Sequence, residues 1–196
     1  MNGTRFPEFV ESHYEIHEWR HASAILQSDF DGEFDDICDV LTRFRLYKSH
    51  IAVGGGRKSL VADWIDSEFS LKGWIEKSFN TKITVDENEM LSPTHSVDCF
   101  KNRIAIEIEW NNKDPFYDRD LNNFRLLFDL RAISVGIIIT RCDELQVIFD
   151  NLGRGKSYGS STTHMDKLLP RIQGGGGAGC PLLVFGIRRS LYVEDI

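Results

Sequence analysis

The segment from Arg103 to Trp110 alternates strictly between two kinds of side chain. Successive side chains of a β-strand point to opposite faces of a sheet. One face therefore carries Ile104, Ile106, Ile108 and Trp110, and the other carries Arg103, Ala105, Glu107 and Glu109. A strand with one wholly apolar face has to lie in a sheet that covers a core. The segment predicts such a strand, with two glutamates projecting together from its second face.

A second predicted strand, His95 to Phe100, comes just before the first. The short polar connection Lys101-Asn102 suits a β-hairpin. If the two strands pair, Asp98 approaches the face that carries Glu107 and Glu109.

Carboxylates held this close oppose each other's ionisation. Mg²⁺ relieves that repulsion, because it prefers carboxylate oxygen, backbone carbonyls and water as ligands. A metal site is therefore one interpretation of the cluster. A solvent-facing strand that happens to carry two acids is the other, and the alternation alone leaves it open.

The rest of the chain mixes helical and strand patterns. Helical spacing of apolar residues covers Glu15 to Arg45, as one or two helices with a break at 29–32, and Leu60 to about Lys77, with Gly73 at a bend or end. Further helices are predicted over Asp118 to Arg131 and from about Thr163, and buried strands over Ile133 to Thr140 and Pro181 to Ile187. The predicted fold class is α/β: one domain over 1–196, with a central mixed sheet flanked by helices. Its helical N-terminal part covers about 15–80, and its sheet and loops cover 93–190.

Charge is unevenly distributed along the chain. The formal net charge is −7, which argues against non-specific coating of nucleic acid. Residues 1–39 carry ten acids and two basic residues, whereas residues 153–189 carry six basic residues and one acid. The basic tract suits a phosphate-binding surface on one side of the protein, with an ordinary solvated surface as the alternative.

Several other classes of protein have little support. The four cysteines lie far apart, which disfavours a zinc ribbon or a redox motif and suggests reduced thiols. No apolar run approaches the roughly 20 residues of a membrane span, and the N-terminus lacks a signal-peptide pattern. We therefore expect a cytoplasmic protein without membrane partners. The glycine-rich run 54–59 lacks the ending and spacing of a P-loop, which excludes nucleotide hydrolysis.

The order Asp98, spacer, Glu107, any residue, Glu109 resembles the PD-(D/E)xK nuclease pattern, with glutamate at the lysine position as in BamHI. Other segments resemble the BglII/BstYI-type type II restriction endonucleases in the same order along the chain, from about residue 21 to 187. These segments are His21–Leu26, Lys72–Trp74, Arg103–Ile108 and Pro181–Ile187. The resemblance implies a restriction-endonuclease-like fold and Mg²⁺-dependent hydrolysis of DNA.

The resemblance also implies roles for individual residues. Asp98 and Glu107 would bind the metal through their side chains, and Ile108 through its carbonyl. Glu109 would position or deprotonate the attacking water. Since glutamate cannot neutralise phosphate charge as lysine does, the metal would do more of that work. Mn²⁺ is expected to substitute for Mg²⁺. Glu76 is either a further acid near the metal or a plain helix-surface residue.

Two loops are predicted to read DNA. Asn111, Asn112 and Lys113 follow the catalytic strand, and Asn112 aligns with a base-reading position of the family. The glycine-rich loop 153–160 carries further candidates, Arg154, Lys156, Ser157 and Tyr158. Arg57 and Lys58 could clamp the DNA backbone. An Asn-rich turn and a loop without function are the alternatives.

One interpretation of His164 is that it acts as a lone general base. Without a partner motif, a histidine at a helix N-terminus or phosphate contact is favoured. The charged run Asp118-Arg119-Asp120 is either a set of local ion pairs that orient neighbouring groups or an ordinary helix N-terminal cluster.

The predicted function is that of a type II restriction endonuclease acting on double-stranded DNA at a short palindrome, with a GATC-centred site as the first candidate. By resemblance we expect a homodimer and a cognate DNA methyltransferase in the same system. A structure-specific or nicking nuclease of the same fold is one alternative. A catalytically inactive DNA-binding protein is the other.

Overall fold

The computed structural model describes residues 6–52 and 58–195. The α-helices of this part are α1 (Glu8–His13), α2 (Ala22–Asp29), α3 (Asp31–Arg43), α4 (Lys48–Ala52), α5 (Leu60–Leu71), α6 (Phe116–Asp129), α7 (Gln146–Asn151) and α8 (Met165–Gln173). The strands are β1 (Tyr14–Trp19), β2 (Leu46–Tyr47), β3 (Ile75–Lys77), β4 (Asn80–Val85), β5 (Asn88–Pro93), β6 (Val97–Lys101), β7 (Ile104–Glu109), β8 (Val135–Arg141), β9 (Leu182–Ile187) and β10 (Tyr192–Val193). None of the described helices has the length and apolar character needed to span a membrane.

Six strands form one mixed sheet in the order β1-β9-β8-β7-β6-β3. The central strands β7, β8 and β9 are parallel to each other, whereas β1, β6 and β3 join the sheet antiparallel. Two further pairs, β4 with β5 and β10 with β2, lie outside it. The mixed sheet with flanking helices confirms the predicted fold class, and the antiparallel pairing of β6 with β7 confirms the predicted hairpin.

Each face of the sheet covers a separate core. Ile104, Ile106 and Ile108 pack into the larger core, together with apolar residues of α1, α2, α3 and α5. Ala105 packs into the smaller core, with residues of α6 and α8. This division confirms the two faces that the alternating pattern of β7 predicts.

Helix α6 lies unusually close to the sheet at Gly136 on β8. A Cβ atom at this position would lie 2.6 Å from Cδ2 of Phe124, so a larger residue would push the helix away. The close approach holds the first turn of α6 near the carboxyl end of β7. The fold thereby brings Asp120, one turn before Phe124, to the two glutamates.

Two predicted helices are partly wrong. Glu15–Trp19 belongs to strand β1, because Ile16 pairs with Phe185 of β9, a partner far away in the sequence. The helix predicted to run to Lys77 ends at Leu71, and Gly73 follows with a φ of 84°. The chain then forms β3, so Glu76 lies on a strand and its interpretation as a helix-surface residue is wrong. The hairpin of β4 and β5 has no counterpart in the sequence prediction.

Candidate active site and DNA-binding surface

Strand β6 departs from regular pairing at Asp98. On its outer side, Lys77 faces Val97 and Ile75 faces Phe100, so three residue steps on β6 match two on β3. On its inner side, the pairing with β7 ends at Cys99 and Ile106. Because Asp98 lies outside the regular strand pairing, its Oδ2 can accept a hydrogen bond from the backbone N–H of Ile108, at 2.9 Å.

Glu107 is completely buried, and neither of its carboxyl oxygens has a hydrogen-bond donor. Its pKa lies well above the usual value, because burial disfavours the charged form and the carboxyl groups of Asp120, Asp98 and Glu109 are close. An ionised carboxylate without a partner at a buried position destabilises the folded protein by several kcal/mol, about as much as the loss of one partner of a buried ion pair. The carboxyl group of Glu107 therefore needs either a bound proton or a nearby cation.

Glu109 is the second buried glutamate of β7, with 1% of its surface exposed. Its Oε2 accepts a hydrogen bond from Nδ2 of Asn112 at 2.9 Å, and its Oε1 lies 3.6 Å from Nη2 of Arg119. Burial and the neighbouring Asp120 raise the pKa of Glu109 to about 9. Glu109 is thus a strong base once it has lost its proton.

Asp120 is a fourth acid that the sequence interpretation did not assign to the site. It is fully buried, and burial raises its pKa to about 6 although Arg119 acts in the opposite direction. Its Oδ1 accepts a hydrogen bond from Nε of Arg119 at 2.9 Å, while its Oδ2 has no partner. A signal was present: with Tyr117, Leu121 and Phe124, Asp120 lies on the buried stripe of α6, where an acid is out of place.

The oxygen atoms around Asp98 and Glu107 are suitable ligands for a hard divalent cation. Asp98 and Glu107 supply carboxylate oxygens, and the two oxygens of Glu107 are buried without donors. The N–H of Ile108 points toward Asp98, and in a strand the carbonyl of the same residue points to the same side. Oxygen ligands of this kind, completed by water, are those that Mg²⁺ prefers. Among the described residues, no group of three or more His, Cys, Asp or Glu side chains is arranged to hold a metal ion.

A cleft of about 720 Å³ opens onto this cluster. Asp98, Ile108 and Glu109 line it, whereas Glu107 lies behind its wall. Its lining also includes the acidic, basic and polar residues His50, Lys58, Ser59, Asp66, Glu76, His95, Asn111, Asn112, Arg119 and Arg154. The cleft is therefore the route by which a phosphate group would approach the acids, and Glu76 lies along it.

The two predicted recognition loops are joined to each other. Lys113 and Thr162 form an antiparallel bridge. The N–H of Thr163 donates to the carbonyl of Asn112 at 2.8 Å, and the N–H of Asp114 donates to the carbonyl of Ser161 at 3.1 Å. The segment after β7 and the glycine-rich loop therefore form one surface beside the catalytic strand.

The candidates of the glycine-rich loop occupy different environments. Arg154 lines the cleft, whereas Lys156 and Ser157 are exposed away from it. Tyr158 also borders the cleft, but it is 5% exposed and its ring stacks on Phe149 with the centroids 4.0 Å apart. Packing in the core is thus the observed environment of its side chain.

Buried Arg141 at the end of β8 anchors the same loop. Its Nη2 donates to the carbonyl of Tyr158 and to Oγ1 of Thr162, both at 2.9 Å. A buried arginine used in this way fixes backbone position, because its planar fork is oriented by both acceptors. Sequence reasoning did not assign it a role.

Three candidate residues from the sequence remain, Lys58, Arg57 and His164. Lys58 lines the cleft and forms ion pairs with Asp66 and Asp63. Arg57 lies outside the described residues. His164 precedes the first residue of α8 and pairs with Asp143, which agrees with the helix N-terminal interpretation.

Comparison with known proteins agrees with this geometry. The family described as restriction endonuclease BglII/BglIII matches residues 14–187, which is most of the chain. A search of curated proteins found no match. The matched residues include most of the central sheet, both joined loops and the four clustered acids Asp98, Glu107, Glu109 and Asp120. The chain therefore belongs to the BglII/BglIII restriction endonuclease family, and it is a DNA-cleaving hydrolase.

Proposed function

We propose that the protein is a Mg²⁺-dependent type II restriction endonuclease that cuts double-stranded DNA at a short palindrome, with a GATC-centred sequence as the first candidate. The observation that carries the proposal is the buried carboxyl group of Glu107, which has no donor and lies beside Asp98. A binding module would gain nothing from unpaired acids near DNA phosphates, since they repel them.

Asp98, Glu107 and the carbonyl of Ile108 would hold Mg²⁺ in this site. When bound, Mg²⁺ neutralises phosphate charge and lowers the pKa of a coordinated water. It would also favour the ionised form of Glu107, against the burial and the neighbouring acids that raise the pKa of this group. Mn²⁺, another oxygen-binding cation, is expected to replace it.

Glu109 would act on the attacking water. A pKa of about 9 keeps Glu109 protonated at neutral pH in the metal-free protein, so Glu109 would have to lose that proton, which the charge of bound Mg²⁺ favours, before it accepts one from the water. Asn112 and Arg119 hold its two oxygens in place. The water oxygen forms a bond to phosphorus, and the ester bond on the opposite side breaks. The proton passes to Glu109, and the leaving sugar oxygen takes a proton from solvent. Water is the only co-reactant of this hydrolysis.

The joined loops would supply recognition. Asn111, Asn112 and Lys113 stand directly after the catalytic strand, where a base edge would lie near the scissile phosphate. Arg154, Lys156 and Ser157 would contact bases or the backbone from the glycine-rich loop, and Lys58 would contact the backbone across the cleft. The proposed DNA contact of Tyr158 rests on the resemblance alone, and that of Arg57 on its basic side chain in the glycine-rich run 54–59. A palindromic site is matched by a homodimer with two active sites.

One assay tests the proposal. Purified protein is incubated with unmethylated phage DNA and Mg²⁺, with EDTA as the control. Discrete fragments that require Mg²⁺ support a restriction endonuclease, whereas smearing or nicking indicates a non-specific or structure-specific nuclease. A gel shift without cutting contradicts the enzymatic proposal.

Two parts of the proposal, the homodimer and the methyltransferase partner, need separate measurements. Sedimentation of the DNA complex tests the homodimer. Protection of the same DNA by a methyltransferase from the same cell tests the partner. We place the enzyme in the cytoplasm, in keeping with four cysteines that are all unpaired.

A further inference from the structure

Four clustered acids, three of them buried and Asp98 half-buried, raise a question of charge balance. Asp98, Glu107, Glu109 and Asp120 surround the point where an anionic phosphate has to bind. A phosphoryl group gains further negative charge on its oxygens as it is attacked, and donors fixed in advance stabilise that charge most effectively. Position 109 holds a glutamate, so a cation has to come from elsewhere in the fold.

Arg119, on the first turn of α6, has the required position. Its side chain lines the cleft and is 34% exposed, so it is accessible from the side on which DNA enters. Its Nη2 lies 3.6 Å from Oε1 of Glu109, the group assigned to the attacking water. A cation at this distance from the base is close to the reacting phosphate as well.

Asp120 and Phe116 hold the guanidinium of Arg119 in place. Nε and Nη2 both contact Oδ1 of Asp120, at 2.9 Å and 2.8 Å. The guanidinium carbon lies 4.2 Å from the ring centre of Phe116, within the range of a cation–π contact. A guanidinium carries five N–H donors, so donors remain for phosphate oxygens after these contacts are made.

The charge of Arg119 also acts on the whole acidic cluster. It lowers the pKa of Glu107, Glu109 and Asp120, in each case against the effect of burial. Lys58 and Arg154 are further cations of the cleft lining, and Lys58 is engaged with Asp66 and Asp63. Arg119 is singled out by the 3.6 Å approach of its guanidinium to Glu109, the group assigned to the attacking water.

We propose that Arg119 is a catalytic residue whose guanidinium contacts the scissile phosphate and stabilises the charge that develops on its oxygens, with Asp120 as its positioning residue. The inference rests on the proposed nuclease function. Arg119 exchanges no atoms or electrons, because the proton of the attacking water goes to Glu109.

The test uses the full-length protein and a DNA fragment that the unchanged protein cuts. The variants are Arg119→Gln and Arg119→Lys, with Arg119→Ala and Glu107→Gln added for a rescue experiment. The control is Arg125→Gln, which alters an exposed arginine of the same helix that contacts Asn122. Single-turnover cleavage with Mg²⁺ and DNA affinity with Ca²⁺ are measured separately. We expect Arg119→Gln to slow cleavage about 100-fold or more, the effect of losing one fixed donor to a developing oxyanion. We expect its Kd to change less than about threefold, since a single phosphate contact is lost.

The conservative variant and a rescue experiment separate catalysis from folding. Arg119→Lys keeps the charge but loses the planar fork, so its cleavage is expected to be at least about tenfold slower with an unchanged Kd. Methylguanidinium, at concentrations that leave the melting temperature unchanged, should partly restore cleavage by Arg119→Ala and leave Glu107→Gln inactive. If the role of Arg119 were only structural, added methylguanidinium would not restore cleavage.

The outcomes are distinct. A wild-type cleavage rate in Arg119→Gln or Arg119→Lys overturns the inference alone, as does a loss confined to Kd. If Arg119→Gln fails to fold, cleavage by Arg119→Lys and the rescue by methylguanidinium test the inference instead. If the unchanged protein does not cut DNA, the proposed function and this inference fall together.

Discussion

The carboxylate of Asp98 accepts a hydrogen bond from the backbone N–H of Ile108, across a break in the pairing of β6 with β7. The same acid is thus both a proposed metal ligand and part of the hydrogen bonding of the central sheet. These two roles can be separated by substitution, because an amide oxygen still accepts the hydrogen bond but is a weak metal ligand.

We expect Asp98→Asn to abolish cleavage while retaining the stability of the metal-free protein. Asp98→Ala should also be inactive, and it should lower the free energy of unfolding by about 1–3 kcal/mol because the buried N–H loses its acceptor. Urea unfolding without metal measures the difference. Equal stability of the two variants would contradict a structural role for the hydrogen bond.

Glu107→Gln should slow cleavage by about 1,000-fold or more and leave DNA affinity within a few fold, because the proposed ligand of Glu107 is the metal and not the DNA. The stabilisation of the protein by Mg²⁺ should be lost at the same time. Cleavage, gel shifts and thermal unfolding with and without Mg²⁺ measure these effects. Exposed Glu87→Gln is the matched control, and normal cutting by Glu107→Gln at saturating Mg²⁺ would remove Glu107 from the site.

The metal-free protein should become less stable as the pH rises. The folded chain keeps protons on Glu107, Glu109 and Asp120 at pH values where the unfolded chain has released them, since their pKa values are raised. This contribution is complete near pH 4 and disappears as the pH approaches 9, the pKa of Glu109. A fall in Tm on the order of 5 °C is expected between pH 6 and pH 9.

Mg²⁺ provides the control for this pH dependence. It replaces the protons on the acidic cluster, so it should raise Tm more at pH 8.5 than at pH 6. Scanning calorimetry at several pH values checks both trends. A Tm of the metal-free protein that rises over this interval would show that the acids are not held protonated.

Asn112→Ala should affect both recognition and catalysis. The amide holds Oε2 of Glu109 at 2.9 Å and stands where a base edge is expected. We expect cleavage to slow at least about tenfold and one position of the recognition sequence to lose about 1–3 kcal/mol of discrimination. Cleavage of a set of single-base variants of the site measures this. Slower cutting with full discrimination would leave Asn112 with the role of holding Glu109 only.

Lys156→Ala should act differently, because Lys156 is exposed and its proposed partner is the DNA backbone. Affinity should fall similarly for all sequences, and the salt dependence of log Kobs should decrease by about 1. Titrations at four salt concentrations test this. An unchanged salt dependence would exclude a phosphate contact.

The sequence predicted the hairpin, the central strands and α6, because their patterns are local and regular. The alternation in β7 is enough to place Glu107 and Glu109 on one face. Strand β1 could not be recognised in this way, since Tyr14–Trp19 mixes polar and apolar residues and depends on pairing with distant β9. Asp120 was missed although it lies on the buried stripe of α6, because its position beside Glu109 depends on the close approach of Phe124 to Gly136, a tertiary contact.

The bridge between Lys113 and Thr162 has a consequence for changing target specificity. The two recognition loops share backbone hydrogen bonds, so exchanging one of them for that of a relative would leave the other without its partners. A chimaera should therefore receive residues 111–114 and 153–163 together as one cassette, with Arg141 kept beneath them. In natural divergence the same coupling would make new specificities arise by paired changes in both loops, while the acids on β6 and β7 remain as they are.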